Sequence, residues 1–380
     1  MFGLPPLRRN YDAAVRDLRS SKPEVRASAA HDLGMVGDEH PRAAADALAP
    51  LLDDTYSDVR RAALAALGTL GARHLSDRIA DRMEDGASDV RQHAVDPLAA
   101  VAGARALELL KRSLQSNYAD VRYQSLLGVL SLDAREGFAA AIDALASDDP
   151  WIASEAAEQI GRLFATDPDH RTENSLGATE RTRALEALRT ELDDPAQRVV
   201  VTCAIALARM GETDTLRALC DFVRSPRAVD GADREALVVE AIDLLGAVTG
   251  EAVRDAREAL SVVAWRVIPS PERNVARAAL ARLGDPRACD EILGQLRSLI
   301  PGRREAAVRL VRVARLKGAE GALLSMIDDG GVELPIVLDA LGVVGSERSK
   351  ATLSRLARTD ARSEIRDAAR RALTRIEETQ

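Results

Sequence analysis

The sequence predicts an all-α solenoid, an array of helix pairs stacked one on the next. The first sign is a phrase that returns along the chain. It reads Pro23-Glu24-Val25-Arg26 running to Leu33-Gly34-Met35-Val36-Gly37, then Ser57-Asp58-Val59-Arg60 running to Leu67-Gly68-Thr69-Leu70-Gly71. It comes back at Ser88-Asp89-Val90-Arg91, Ala119-Asp120-Val121-Arg122 and Ser363-Glu364-Ile365-Arg366. Val25, Val59, Val90 and Val121 are spaced by 34, 31 and 31 residues. Such a period marks units that bury a core only against their neighbours. The second sign is helical periodicity inside each copy, and the third is the absence of any alternating segment that would read as a strand.

Each element has a local reason. Val59, Ala63, Leu64, Leu67 and Leu70 fall on one face of a 3.6-residue helix. An acid precedes the Val in Glu24, Asp58, Asp89, Asp120 and Glu364, which suits the positive end of a helix. Ser57, Ser88 and Ser363 are expected N-caps, and Gly37, Gly71, Gly103 and Gly211 expected stops with positive φ. Between these second helices lie first helices near Ala43–Leu52, Leu75–Met83, Ala104–Leu114 and Ala139–Ala146. The frame persists with weaker consensus to Ser363–Ile376, which predicts about eleven helix pairs in a single domain over 1–380. Two segments break the rhythm: 166–180, read as an inserted loop, and 224–233, a second longer loop. Pro97 falls inside a second helix and is expected to kink it.

Composition narrows the function classes. Hydrophobic residues make up 46% but aromatics only 3%, so the core must be Ala, Leu and Val, which lets helices approach closely. The net charge of −8 is mild and does not imply attraction to nucleic acid or an anionic surface. Three cysteines, Cys203, Cys220 and Cys289, lack the spacing of a disulfide framework or zinc site and read as buried free thiols in a reduced cytoplasm. No stretch reaches the ~20 apolar residues of a membrane span.

The units resemble HEAT repeats, in particular the short bacterial kind associated with phycobilisome lyases. Asp58-Val59-Arg60 and Leu67-Gly68-Thr69-Leu70-Gly71 carry the resemblance. It implies a right-handed superhelix whose second helices line a concave groove. It also implies a cytoplasmic, bacterial protein of the interaction-scaffold type.

Catalysis finds no footing in the sequence. His31, His40, His74, His93 and His170 form no metal-binding pair, and no nucleophile elbow, phosphate loop or dinucleotide fingerprint occurs. No catalytic, metal or cofactor residue is therefore expected. The recurring Arg26, Arg60, Arg91 and Arg122 are expected to form a structural ladder with Asp58, Asp89 and Asp120 of adjacent units. Counting from each Val as zero, rows +2 and +6 should face the groove. They place Tyr123, Leu127, Val201 and Ile205 there, with Trp151 at the mouth of the repeat between. Exposed aromatics among aliphatics are how binding anchors look, so these five are the expected contacts for a protein or peptide partner. The alternative is nucleic-acid binding of the HEAT-type DNA-glycosylase kind, on the basic run Arg303–Lys317. There Arg309 and Arg312 are candidate anion ligands. A bilin-lyase-like enzyme is the third reading.

Overall fold

The computed structural model describes residues 10–167, 171–172, 174–213, 215–229, 231–267, 270–329 and 332–378. They are helices and short connections, with no strand among the described residues. The chain contacts fall into two compact units, divided between Glu191 and Leu192, with residues 165–167 counted in the second. Unit 1 holds α1 (Tyr11–Asp17), α2 (Pro23–Val36), α3 (Pro41–Leu48), α4 (Ser57–Thr69), α5 (Ser76–Asp81), α6 (Ser88–Gln92), α7 (Val95–Ala102), α8 (Ala104–Ser113), α9 (Ala119–Leu132), α10 (Ala134–Leu145), α11 (Pro150–Leu163) and α12 (Ala178–Thr190). Unit 2 holds α13 (Gln197–Arg209), α14 (Leu216–Arg224), α15 (Arg234–Leu245), α16 (Ala252–Ala264), α17 (Pro271–Arg282), α18 (Pro286–Leu296), α19 (Pro301–Ala314), α20 (Glu320–Asp329), α21 (Leu334–Val344), α22 (Glu347–Thr359) and α23 (Ser363–Glu378). Taking α6 and α7 as halves of one helix, these make the eleven pairs expected.

Small residues set the spacing between repeats. A Cβ added at Gly34 of α2 would lie 3.0 Å from Ala66 of α4, and one added at Gly68 would lie 3.1 Å from Pro97 of α7. Glycine at this row lets the next helix close to backbone contact. Leu33, Leu64, Leu67, Leu98 and Leu126 are then fully buried, each worth about 1.5–3 kcal/mol of transfer free energy. Pro97 has the cost expected of it. The helix breaks at His93–Ala94, one turn earlier, where the ring opposes a continuing carbonyl ladder.

Several local expectations change. Ser57 and Ser88 are the first helical residues, not caps; Tyr56 and Ala87 hold the cap positions. The turn is tied instead by the acid two residues earlier. Asp54 Oδ1 accepts from the Tyr56 amide at 3.0 Å and Asp85 Oδ1 from the Ala87 amide at 3.0 Å. Gly71, Gly103 and Gly211 have positive φ, but Gly37 has φ −85°; it is small because a Cβ there would sit 2.7 Å from that of Ala44. The segment 166–180 is not loop throughout. Ala178–Glu180 open α12, where Glu180 Oε2 accepts the Gly177 amide at 3.0 Å; residues 168–170 and 173 lie outside the described residues. The second loop is anchored by buried Val229 and by the ion pair of Asp233 with Arg198.

The ladder of arginines has a different partner from the one the sequence suggests at two of its rungs. Arg26 grips Asp54 through two bonds of 2.7 and 2.8 Å, and Arg60 grips Asp85 through two of 2.9 and 2.7 Å. Arg91 does meet Asp120, at 3.0 Å, and Arg122 meets Asp149 at 3.0 Å. Asp58 instead pairs with Arg61 on its own helix at 3.0 Å, and Asp89 lies on the open face with no arginine of the ladder on it. The reason lies in the turn. Where the turn entering the next second helix offers an acid, as at Asp54 and Asp85, the arginine takes it; Ser116 stands at that place before α9, and Arg91 takes Asp120 instead. Each arginine also donates to the carbonyl six residues before it: Ser20 at 2.8 Å, Asp54 at 2.7 Å, Asp85 at 2.8 Å and Ser116 at 3.0 Å. One planar fork thus closes its own turn and clamps the next.

Burial pushes the Asp54 and Asp85 carboxyls up. The bonds from Arg26 and Arg60, the turn amides and the neighbouring guanidinium charges outweigh it and hold both below the ordinary carboxylate range. Such groups stabilise the fold fully above the unfolded pKa of about 3.9, and the contribution is lost as pH falls through the lower folded values. Unfolding midpoints in urea should therefore drop as pH is taken from about 5 to about 3, and by less in an Asp54→Asn/Asp85→Asn variant. At neutral pH, Arg60→Gln should cost about 2 kcal/mol because it strands a mostly buried carboxylate. Asp58→Asn on the exposed side should cost under about 0.5 kcal/mol. Equal costs for the two would remove the ladder from the account.

Candidate partner-binding face

In each second helix, the positions one before the Val, two after it and six after it form one stripe, spaced i, i+3, i+7. In unit 1 this stripe is open at Glu24, His31, Asp58, Ala65 and Trp151, half-buried at Tyr123 and Leu127, and buried at Ser154. It carries Glu24, Ala27 and His31 on α2, then Asp58, Arg61 and Ala65 on α4. Further along it carries Asp120, Tyr123 and Leu127 on α9, then Trp151, Ser154 and Glu158 on α11. At its start lies a groove of about 610 Å³, lined among others by Glu24, His31, Tyr56, Arg61 and His93.

The aromatic groups lie along this face and its edge. Trp151 is 55% exposed, on a first helical turn fixed by its amide bond to Asp149 Oδ1 at 3.0 Å. Tyr123 and Leu127 are half-buried, one helical turn apart. Burial, together with the Glu155 and Glu158 carboxylates, raises the Tyr123 phenol above its ordinary pKa. Tyr56 and Tyr118 are exposed at the cap positions of α4 and α9. They lie beneath ladder arginines, with Arg26 at 5.8 Å and Arg91 at 3.9 Å from the ring centres. They recur at the same place in two repeats, three residues before the Val. That recurrence is visible in the sequence, but the stacking on the ladder is not.

The stripe is acidic. Glu24, Asp58, Asp89, Asp96, Glu155 and Glu158 lie on or beside it. The arginines there, Arg61 and Arg162, are bonded to Asp58 and Glu158.

Two of the five expected anchors are not on an open face. Val201 and Ile205 are each 3% exposed and belong to the hydrophobic core of unit 2. On α13 the ion pair to the following repeat leaves from Arg198, at the start of the same i, i+3, i+7 stripe, and bonds Asp233 at the cap of α15. Helix α15 packs on α13, and Val201 and Ile205 belong to the core cluster that also holds Leu237 and Val238 of α15.

The two candidate anion ligands are also engaged. Arg309 pairs with Glu305 at 2.7 Å, and Arg312 pairs with Asp339, which Arg375 also bonds. Arg309 is thus matched by its own acid, and Arg312 shares the single Asp339 carboxylate with Arg375. Among the described residues no group of three or more His, Cys, Asp or Glu is placed to hold a metal ion. His74 bonds Asp46 at 2.8 Å, away from His31 and His93.

Residues 45–130 match the family model described as HEAT repeats. Nearly the whole chain matches solved structures in fold. Yeast importin-beta (Kap95p) has a TM-score of 0.58 at 13% identity, over 96% of this chain and 57% of that one. The Kap95:Nup1 complex has a TM-score of 0.55 at 14% identity, over 96% of this chain and 56% of that one. The chain thus spans little more than half the length of these karyopherins. No curated protein matches the chain.

The cysteines of the array sit in its packing. Cys203 and Cys220 are buried and Cys289 half-buried. Burial pushes the Cys220 thiol up to about 11. A disulfide-exchange reagent at about pH 8 should therefore titrate no more than the Cys289 thiol in the native chain, and all three thiols in urea. Rapid native reaction of two or more would show that unit 2 opens.

Proposed function

We propose that the protein is a non-catalytic interaction scaffold, and that the open face of the second helices of unit 1 holds a segment of a partner protein. The observation that carries this reading is the exposed Trp151 on the same stripe of positions as half-buried Tyr123 and Leu127 of the preceding second helix. Large aromatics presented by a rigid framework are the residues on which protein interfaces concentrate their energy. The HEAT fold supports the same reading, since the Kap95:Nup1 structure is that of a solenoid with a bound protein.

The chemistry of the face suggests the partner's charge. Glu24, Asp58, Asp89, Asp96, Glu155 and Glu158 give it an acidic character, so a segment bearing Lys or Arg is matched to it. A cationic side chain over Trp151 or Tyr123 would add a cation–π contact of about 0.5–2 kcal/mol. Nucleic acid, with its phosphate charge, is disfavoured by the same carboxylates. Arg309 and Arg312, the arginines that had suggested it, are engaged in ion pairs. A cytoplasmic location fits the free thiols.

Crosslinking at position 151 tests the reading. A photoreactive amino acid replacing Trp151 should capture a discrete partner, and Tyr123→Ala/Leu127→Ala should weaken that partner's binding at least about tenfold while circular dichroism stays unchanged. Capture that is indifferent to both substitutions, in a folded protein, would contradict it.

A further inference from the structure

Unit 2 carries a surface of the opposite character, independent of the unit 1 face. Val267 is 94% exposed and Leu299 is 96% exposed, with Ile300 half-exposed beside it. They stand in the loops that enter α17 and α19. Those helices pack on each other and both pack on α18, which connects them, so they run the same way and their entry loops emerge at one end of the unit. The loops are built to present these side chains. Arg273 Nη1 donates to the Val267 carbonyl at 3.4 Å, and Ser298 Oγ accepts the Ile300 amide at 3.2 Å.

The surroundings are basic. Residues 265–273 and 297–305 contain Arg266, Arg273, Arg297, Arg303 and Arg304 against Glu272 and Glu305, and Glu305 is bonded to Arg309. Arg297 and Arg303 are exposed, and no acid pairs with either among the described residues. Behind them Arg287 stacks on Trp265 at 3.8 Å.

We infer that this end of unit 2 is a docking surface for an anionic lipid bilayer. The apolar side chains sit on protruding tips rather than in a groove, so what buries them must yield around them, as the headgroup–acyl boundary does. The guanidinium groups beside them match lipid phosphates. A partner protein would need a preformed acidic pocket of complementary shape, a narrower requirement that these convex tips do nothing to specify.

Co-sedimentation of the full chain with vesicles tests this. Vesicles of phosphatidylcholine with about 30% phosphatidylserine should bring the protein down at low salt, and pure phosphatidylcholine should not. Raising NaCl to about 0.5 M should release it. Val267→Asp/Leu299→Asp should weaken binding at least about tenfold, and Arg297→Gln and Arg303→Gln about fivefold each. These side chains project into water, so circular dichroism should not change. The phosphatidylserine vesicles failing to bind at low salt, or binding all variants alike, would overturn the proposal, and so would equal binding to neutral vesicles. Because Trp151 and Tyr123 take no part, loss of partner capture at position 151 leaves this result unaffected.

Discussion

The fork of the arginine that follows each signature valine is the constraint on which the array depends. It holds a carbonyl of its own turn and the carboxylate of the next repeat at once, as Arg60 does with the Asp54 carbonyl and Asp85. Alanine-rich interfaces supply the bulk of the burial but little directional information, because one small side chain slides past another at low cost. A bidentate bond with little exposed surface does not slide. Hydrophobic area therefore accounts for most of the stability, and the ladder sets which residue meets which.

The same geometry decides where a face is left open. When the fork departs from the position after the Val, the following helix packs on that side, and the stripe stays half-buried at Tyr123 and Leu127. On α13 the ion pair departs from Arg198, two residues earlier, and Val201 and Ile205 are buried. Function and packing thus compete for one helical stripe. At the far end of unit 2 the pattern differs again. The turns entering α17 and α19 carry Val267, Leu299 and Ile300, where the cap positions of unit 1 hold Lys22, Tyr56, Ala87, Tyr118 and Asp149.

Much of the fold was legible in the sequence because repeats write the same packing problem many times. The valine spacing, the Leu-Gly closing segment and Pro97 each correspond to a feature seen in the structure. The partners of Arg26 and Arg60 were less legible. Asp58 and Asp54 are both near at hand in sequence, and only the direction of the turn tells them apart. The site was harder still. Trp151 could be read as exposed from its place one residue before Ile152, but Val201 and Tyr123 share a repeat position and differ in what lies over them. That difference arises from the following helix, which a count within one helix cannot include. Glu180 closing the Gly177 turn was missed because a polar, glycine-containing run resembles a loop until its cap is recognised.

A double-mutant cycle on Arg26 and Asp54 tests the central claim most directly. The side chains are more than 25 residues apart in sequence and join two repeats, so their coupling isolates the clamp from local helix effects. Unfolding of wild type, Arg26→Gln, Asp54→Asn and the double variant should give a coupling free energy of about 1–3 kcal/mol, with the double variant hardly worse than either single one. Strictly additive losses would mean that the repeats are held in register by apolar packing alone.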